Sequence, residues 1–192
     1  TVTFDGTQTI NSNEAFENVT IAGVVTLGAA LDADATLIIS SGSLDVSGSN
    51  FGVTVGASWT DTGAGTFTEG SGTVTFDGTG TVNANEVFNS IIINSAGTVT
   101  LGANLDVDGS LTLTAGILDV SGSNFSINVE DGWTDTGAGT FTEGTGTVTF
   151  DGTQTINSNE AFENIILNTA GTITLGAALD ADGNLTLTAG TL

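Results

Sequence analysis

The sequence predicts an all-β protein, a parallel β-helix (β-solenoid) that forms one continuous repeat array over residues 1–192. Three observations predict this fold. A repeat of about 74 residues runs through the whole chain, its short segments alternate apolar and polar residues, and no linker or Pro marks a boundary between repeats.

The internal repeat is visible from the heptapeptide TVTFDGT, which begins at Thr1, Thr73 and Thr147. The spacings are 72 (73 − 1) and 74 (147 − 73), so the array divides into residues 1–72, 73–146 and the partial repeat 147–192. The two missing residues fall where the first copy reads VTIAG and the second reads IIINSAG. A turn between two strands absorbs such a deletion easily.

Each repeat consists of strand-like segments. TVTF at 73–76 and LTLT at 111–114 alternate with period two, and Gly-, Asn-, Asp- and Ser-rich turns separate such runs. Comparison of FGVTV at 51–55 with FSINV at 125–129 shows constant apolar odd positions and variable even ones, which indicates one buried face and one solvated face. A single helical turn is the one helical alternative, at residues 11–18.

Two architectures fit a repeat of this length. One is a string of small β-sandwiches, and the other is a solenoid in which each repeat forms three to four stacked coils. The short, evenly punctuated strands favour the solenoid. We then expect the aromatic residues to stack inside it, namely Phe4, Phe16, Phe51, Trp59, Phe67 and their equivalents one repeat on.

The charge restricts the partners. The chain has 22 acidic residues and no Lys, Arg or His, a net charge of −22. Nucleic acid is an unsuitable partner because phosphate binding requires basic side chains, and an anionic membrane surface repels such a chain. No apolar run is long enough for membrane insertion. We expect a saline or calcium-containing medium, because uncompensated charge opposes compaction.

Catalysis is not expected. The chain lacks His, Lys, Arg, Cys and Tyr, so it cannot form a Ser/His/Asp or Cys/His arrangement or a zinc site. Carboxylate pairs of the glycosidase type remain. However, the acidic residues recur in every copy, whereas an active site is usually single, so the sequence predicts a protein that is not an enzyme.

The candidate metal ligands are alternating aspartates at equivalent positions of the three copies. Alternating carboxylates and turn carbonyls suit Ca²⁺, which prefers oxygen ligands. The alternative is a polar turn in which Asp and Gly are chosen for geometry. The candidate residues are Asp32, Asp34, Asp106, Asp108, Asp180 and Asp182.

Two further polar features have simpler interpretations. Glu130 and Asp131 form a second acidic pair, but the first copy has Gly56 and Ala57 there, which favours a solvated loop. Asn18, Asn124 and Asn184 begin Asn-x-Ser/Thr triplets, which arise by chance in a chain so rich in Ser and Thr.

Runs such as GTVTFDGTQTI, WTDTGAGTFTEGTG and GTITLGAALDADGNLTLTAGTL resemble the β-strand-repeat segments of large bacterial surface proteins, which include autotransporter-like and filamentous-adhesin-like passengers. The resemblance covers the whole chain. It implies a parallel β-helix and a secreted, cell-surface location, and it supplies no active-site residues.

The functional hypotheses follow from the repeats. The first is a structural component of an extracellular fibre, stalk, sheath or surface layer, whose partners are further copies of the same repeat stacked along the axis. The alternative is an adhesin stalk or passenger that binds a partner. A third hypothesis, ice binding by Thr ladders, requires regular ranks of Thr on a single face, which the sequence repeat does not show.

Overall fold

The computed structural model describes residues 1–135 and 137–192, and all of its regular structure is strand. The strands in chain order are β1 (Val2–Phe4), β2 (Gln8–Ile10), β3 (Phe16–Ile21), β4 (Val24–Leu27), β5 (Leu31–Ile39), β6 (Gly42–Asp45), β7 (Val53–Val55), β8 (Trp59–Asp61), β9 (Gly65–Thr68), β10 (Thr73–Phe76), β11 (Gly80–Asn83), β12 (Val87–Phe88), β13 (Ser90–Leu101), β14 (Leu105–Val107), β15 (Ser110–Asp119), β16 (Ile127–Val129), β17 (Gly132–Asp135), β18 (Gly139–Thr142), β19 (Thr147–Phe150), β20 (Gln154–Asn157), β21 (Ala161–Phe162), β22 (Asn164–Leu175), β23 (Asp180–Ala181) and β24 (Leu185–Thr191).

These strands wind in about nine turns around one core, and neighbouring coils pair in parallel. The predicted β-solenoid is therefore confirmed. The alternative of tandem β-sandwiches is wrong, because the ladders continue across both repeat boundaries: β7 pairs with β10, and β16 pairs with β19. The helical turn considered for residues 11–18 does not form, since β3 begins within that segment.

Each coil crosses three faces, which we number in the order in which the chain meets them. Face 1 comprises β1, β8, β11, β18, β21, β23 and the second parts of β3, β5, β13 and β15. Face 2 comprises β2, β4, β6, β9, β12, β14, β16, β19 and the first parts of β22 and β24. Face 3 comprises β7, β10, β17, β20, the first parts of β3, β5, β13 and β15, and the second part of β22.

The coils differ in length. On face 1, Val2 pairs with Val19 in the first coil, whereas Trp59 pairs with Val82 in a coil that is longer by a third. The corners take up the difference. In β13 the register shifts around Asn94, in the segment that carries the two residues absent from the first copy, so the deletion is absorbed at a corner as expected.

The sequence repeat is not a whole number of coils. Trp59 lies on face 1, but its equivalent Trp133 lies on face 3, where it pairs with Leu111. The chain passes face 1 at Val82, Leu101 and Leu118 before it reaches Trp133, so one repeat spans three turns and two thirds. Equivalent residues of consecutive repeats therefore lie on different faces, each copy two faces ahead of the one before it. A given position returns to its original face only after three repeats, which make eleven turns.

The core is a continuous column of inward-pointing apolar residues. Trp59 and Trp133 are fully buried, and each forms edge-to-face contacts with two Phe rings at 4.9–5.2 Å. Of the aromatic residues expected inside, Phe67 and the two Trp are buried, whereas Phe4 and Phe16 are half-buried in the first coil. Phe51 and its equivalent Phe125 are also half-buried and pack against the core from a turn.

Two kinds of corner depend on unusual backbone conformations. Asn50 and Asn124 occupy equivalent turns with φ of 55°, and the Asn124 Oδ1 accepts a hydrogen bond of 3.0 Å from the Thr145 amide of the next coil. Asn tolerates this left-handed region better than other non-Gly residues. Gly116 has φ of 81°, and a Cβ there would lie 2.6 Å from the Ser95 carbonyl oxygen.

Candidate functional site

The three Asp-x-Asp pairs lie on three different faces. Asp32 is on face 3, where it pairs with Thr54; Asp106 is on face 2, where it pairs with Asn128; and Asp180 is on face 1, where it pairs with Ala161. This dispersion follows from the incomplete last turn of each repeat, which rotates the next copy around the axis. The six aspartates therefore do not form one row, and any cation would be held by each pair with its own neighbours.

The pair at Asp106 has the most elaborate surroundings. The Asn128 Nδ2 donates to the Asp106 Oδ1 and to the Asp151 Oδ2, both at 3.0 Å, and so connects two carboxylates from the coils on either side of its own. The second Asp151 oxygen, Oδ1, is buried without a hydrogen-bond partner in the part of the chain that the structure describes. Removal from solvent raises the pKa of Asp108, and the carboxylates of Asp106, Glu69 and Asp151 raise it further.

Glu130 belongs to the same group of carboxylates. Removal from solvent and then the charges of Asp151, Asp108 and Asp106 raise the pKa of Glu130. The interpretation of Glu130 as a plain solvated loop residue is therefore incomplete: the side chain is exposed, but it lies within the field of this acidic group. In the equivalent pair, Asp32 and Asp34, desolvation is the main cause that raises the pKa of Asp32. The carboxylates of Asp34 and Asp77 raise it further.

A second acidic group recurs once per repeat. Glu86 lies close to Asp61 and Glu69, and Glu160 lies close to the equivalent Asp135 and Glu143. Asp135 is only 7% exposed and accepts a hydrogen bond of 2.9 Å from the Gly137 amide. Desolvation raises the pKa of Glu86 and of Glu160, and the neighbouring aspartate in each group raises it further.

Neither acidic group has carboxylates that point toward one common position, as the ligands of a metal ion do. Among residues 1–135 and 137–192, no three or more Asp or Glu side chains are arranged to hold a metal ion. Calcium binding by Asp32/Asp34, Asp106/Asp108 and Asp180/Asp182 stays a prediction.

Two shallow grooves lie end to end on face 2. One, of about 250 Å³, extends from β14 across β16 to Thr149 of β19. The other, of about 290 Å³, extends from Thr147 of β19 across β22 to β24. Both reach β19, one at Thr149 and the other at Thr147, and together they cover five successive strands of this face. The residues that line them and point outward are Asn104, Asp106, Ser126, Asn128, Thr147, Thr149, Asn164, Ile166, Asn184 and Thr186.

Sequence reasoning misses this groove. It interprets Asn184 only as the start of a chance Asn-x-Ser/Thr triplet, whereas Asn184 lines the groove. The signal that could have found it is the difference between copies, because four groove asparagines stand where the preceding repeat has other residues. The groove residues lie on strands of successive coils. Which of them are neighbours depends on the register between coils, which the sequence repeat does not give.

Outward Thr residues form short columns rather than a long rank. On face 3, Thr54, Thr75, Thr112 and Thr134 lie in one ladder, which Ile92 interrupts. The corresponding column of the next repeat begins on face 2, with Asn128, Thr149, Ile166 and Thr186.

The chain matches no protein-family model, no curated protein and no solved structure. In the part of the chain that the structure describes, no helix has the length and apolar character required to cross a membrane. The structure therefore establishes the fold class, and the resemblance to bacterial surface-protein repeats stays a prediction.

Proposed function

We propose that this chain is a segment of a rod-like structural protein at the cell surface, in which the repeat array provides length and rigidity. The observation that carries the proposal is the unbroken core and ladder at both repeat boundaries. At the boundary after Gly72, Val74 pairs with Val53 on one side and with Ile91 on the other, as any two coils within a repeat do. Repeats joined in this way make one rod.

The chemistry of the chain supports a role without catalysis. The wall of the rod consists mainly of hydroxyl, amide and carboxylate side chains, and the sequence contains no His, Lys, Arg or Cys. A net charge of −22 keeps such a rod soluble and separates parallel rods in low salt. An extracellular location is the part of the proposal that rests on the resemblance to surface-protein repeats.

Axial contact with further copies of the repeat is the second part of the proposal. Leu185 and Leu187 continue the inward ladder of Ile165 and Leu167, but they are 48% and 54% exposed because no further coil covers them. The strand β24 likewise has one unpaired edge, which templates the addition of another strand. A further copy of the same repeat, stacked on this edge, would cover both leucines and pair with β24.

The test compares rods of different length. Concatemers of three, six and nine sequence repeats are expected to appear in electron micrographs as straight rods of constant width. Their length should grow by about 18 Å per repeat, from three and two thirds coils at about 4.8 Å each. Beads separated by flexible joints would contradict the proposal. Sedimentation at rising concentration tests the axial contact, which predicts end-to-end oligomers; a monomer at high micromolar concentration contradicts it.

A further inference from the structure

The two grooves on face 2, together called the face 2 groove, lie along one strand ladder, and their lining is uncharged apart from a single carboxylate. Asp106 is the one acidic residue among those that line its two halves. Five strands at about 4.8 Å give the track a length of about 19 Å between the first and last strand.

Carboxamides supply the main hydrogen-bonding groups of this groove. The Asn104 Oδ1 accepts a hydrogen bond of 3.0 Å from the Ser126 amide, which fixes the side chain and leaves its Nδ2 without a protein partner among the described residues. The Asn128 Nδ2 is held by two carboxylates, so its Oδ1 remains as an available acceptor. The Asn184 Nδ2 donates to the Asn164 Oδ1 at 3.1 Å, and the Asn184 Oδ1 is similarly available.

The preceding repeat provides an internal comparison. Its equivalent strip lies on face 3 and has the same backbone ladder, Thr75 and Ile92 standing where face 2 has Thr149 and Ile166. The face 3 strip lacks the four carboxamides of the face 2 strip. Asn104, Asn128, Asn164 and Asn184 stand where the preceding repeat has Ala30, Thr54, Ser90 and Ser110. Since both strips have the same fold, the fold does not require the carboxamides.

We propose that the face 2 groove binds a neutral, linear oligosaccharide along the rod axis. Such a ligand offers alternating hydroxyl donors and acceptors, which match the Asn104 Nδ2, the Asn128 and Asn184 Oδ1 atoms and the Asp106 carboxylate. An anionic polymer is repelled by the net charge and finds no basic side chain. An extended peptide cannot add to the sheet here, because the strands β16, β19 and β22 are already paired on both sides.

The binding site does not depend on the proposed structural role, since a rod can have a bare wall. The experiment titrates the full chain, labelled with ¹⁵N, with neutral tetrasaccharides of β-1,4-linked glucose, mannose and N-acetylglucosamine and of α-1,4-linked glucose. Tetragalacturonate and a neutral tetrapeptide with blocked ends serve as comparison probes. We expect at least one neutral saccharide to shift the side-chain amide signals of Asn104, Asn128, Asn164 and Asn184. The shallow groove has no aromatic platform, so the affinity should be weak.

The loss variant carries Asn104→Ala, Asn128→Thr, Asn164→Ser and Asn184→Ser, the residues of the preceding repeat. It should remain folded, with a lower melting temperature because the Asn128 bonds to Asp106 and Asp151 are lost. It should bind at least about tenfold more weakly, because the carboxamides that would contact the saccharide are removed. The gain variant carries Ala30→Asn, Thr54→Asn, Ser90→Asn and Ser110→Asn on face 3. It should bind a second equivalent of the same probe.

Three results would overturn the proposal. The first is that no neutral saccharide binds at millimolar concentration, and the second is that either comparison probe binds more tightly than every neutral saccharide. The third is unchanged affinity in the loss variant together with unchanged stoichiometry in the gain variant. If the loss variant fails to fold, the gain variant alone decides, because it leaves face 2 intact.

Discussion

At the scale of single residues, the two buried tryptophans are the largest contributors to the core. Trp133 is fully buried among Phe141, Phe150 and Phe162, and its indole Nε1 has no hydrogen-bond acceptor in the described part of the chain. A buried donor without a partner lowers stability. The ring therefore stabilises the fold through its apolar area and contacts alone.

This arrangement predicts a large difference between two substitutions. Trp133→Ala should lower the free energy of unfolding by about 3–5 kcal/mol, because it leaves a large cavity. Trp133→Phe should cost less than half as much, because it keeps an aromatic ring and removes the unsatisfied N–H. Urea denaturation measures both. Equal destabilisation by the two variants would contradict this prediction.

The carboxylates predict the direction of the pH dependence. Burial and neighbouring charges raise the pKa of Asp32, Glu86, Asp108, Glu130 and Glu160 above their ordinary values in the unfolded chain. The folded state then binds protons more readily than the unfolded state, so stability falls as pH rises through the folded-state pKa values. We expect a higher melting temperature at about pH 4, close to the ordinary carboxyl values, than at pH 8 in constant salt.

A matched variant identifies the source of that effect. Glu130→Gln removes one carboxylate whose pKa is raised and should flatten the decline in melting temperature between about pH 4 and pH 8. Asp5→Asn removes an exposed carboxylate outside these acidic groups and serves as the control. A melting temperature that increases steadily from about pH 4 to pH 8 in the unchanged chain would contradict the prediction.

At the scale of strands and corners, the conformation of a corner decides which substitutions it accepts. Gly116→Ala should destabilise the chain by about 2 kcal/mol or more, because φ is 81° and the new Cβ would meet the carbonyl oxygens of Ser95 and Gly97. Gly122→Ala is the matched control, since nothing lies within 4 Å of its Cβ position and its φ is not in the left-handed region. Thermal melts of the two variants check the prediction, which fails if both melt alike.

The strands also show how far sequence reasoning extends. Period-two alternation in TVTF and LTLT and the absence of boundaries correctly predicted parallel coils and a single core. The face of each strand was beyond that reasoning, because it depends on coil lengths, which the corners vary from one turn to the next. Consequently the equivalence of Asp32 and Asp106 in sequence did not reveal that they lie on different faces, and the asparagines of the groove did not appear as neighbours.

At the scale of the whole molecule, the net charge of −22 predicts a response to divalent cations. Millimolar Ca²⁺ should raise the melting temperature more than NaCl of equal ionic strength, if the Asp-x-Asp pairs bind it as well as being screened by it. The variant Asp106→Asn with Asp108→Asn should lose part of this extra increase. The variant Asp5→Asn with Glu17→Gln removes two exposed carboxylates elsewhere and should not. If calorimetry in low salt detects no heat of Ca²⁺ binding, the assignment of these pairs as ligands is wrong.

The register of the coils also determines which segments can be deleted without unfolding the chain. Deletion of residues 73–146 removes one full repeat and places TVTF at 147–150 directly after Gly72. In the unchanged chain the identical segment TVTF of β10 occupies that position. The new junction reproduces an existing coil contact, so the shortened chain should fold with parallel strands. Because coils contact only their neighbours, the urea m-value should fall to about three fifths of the original, in proportion to the length of chain that remains.

Deletion of residues 80–89 is the contrasting experiment. It removes a much shorter segment, but one that includes β11 and β12, the strands of faces 1 and 2 in one coil. The chain would then pass from β10 to β13, both of which start on face 3, so the coils before and after the deletion lose their common register. Circular dichroism and urea unfolding should show a cooperative transition for the deletion of a full repeat and its loss for the shorter deletion. The opposite order of tolerance would mean that the coil register does not govern how this rod is built.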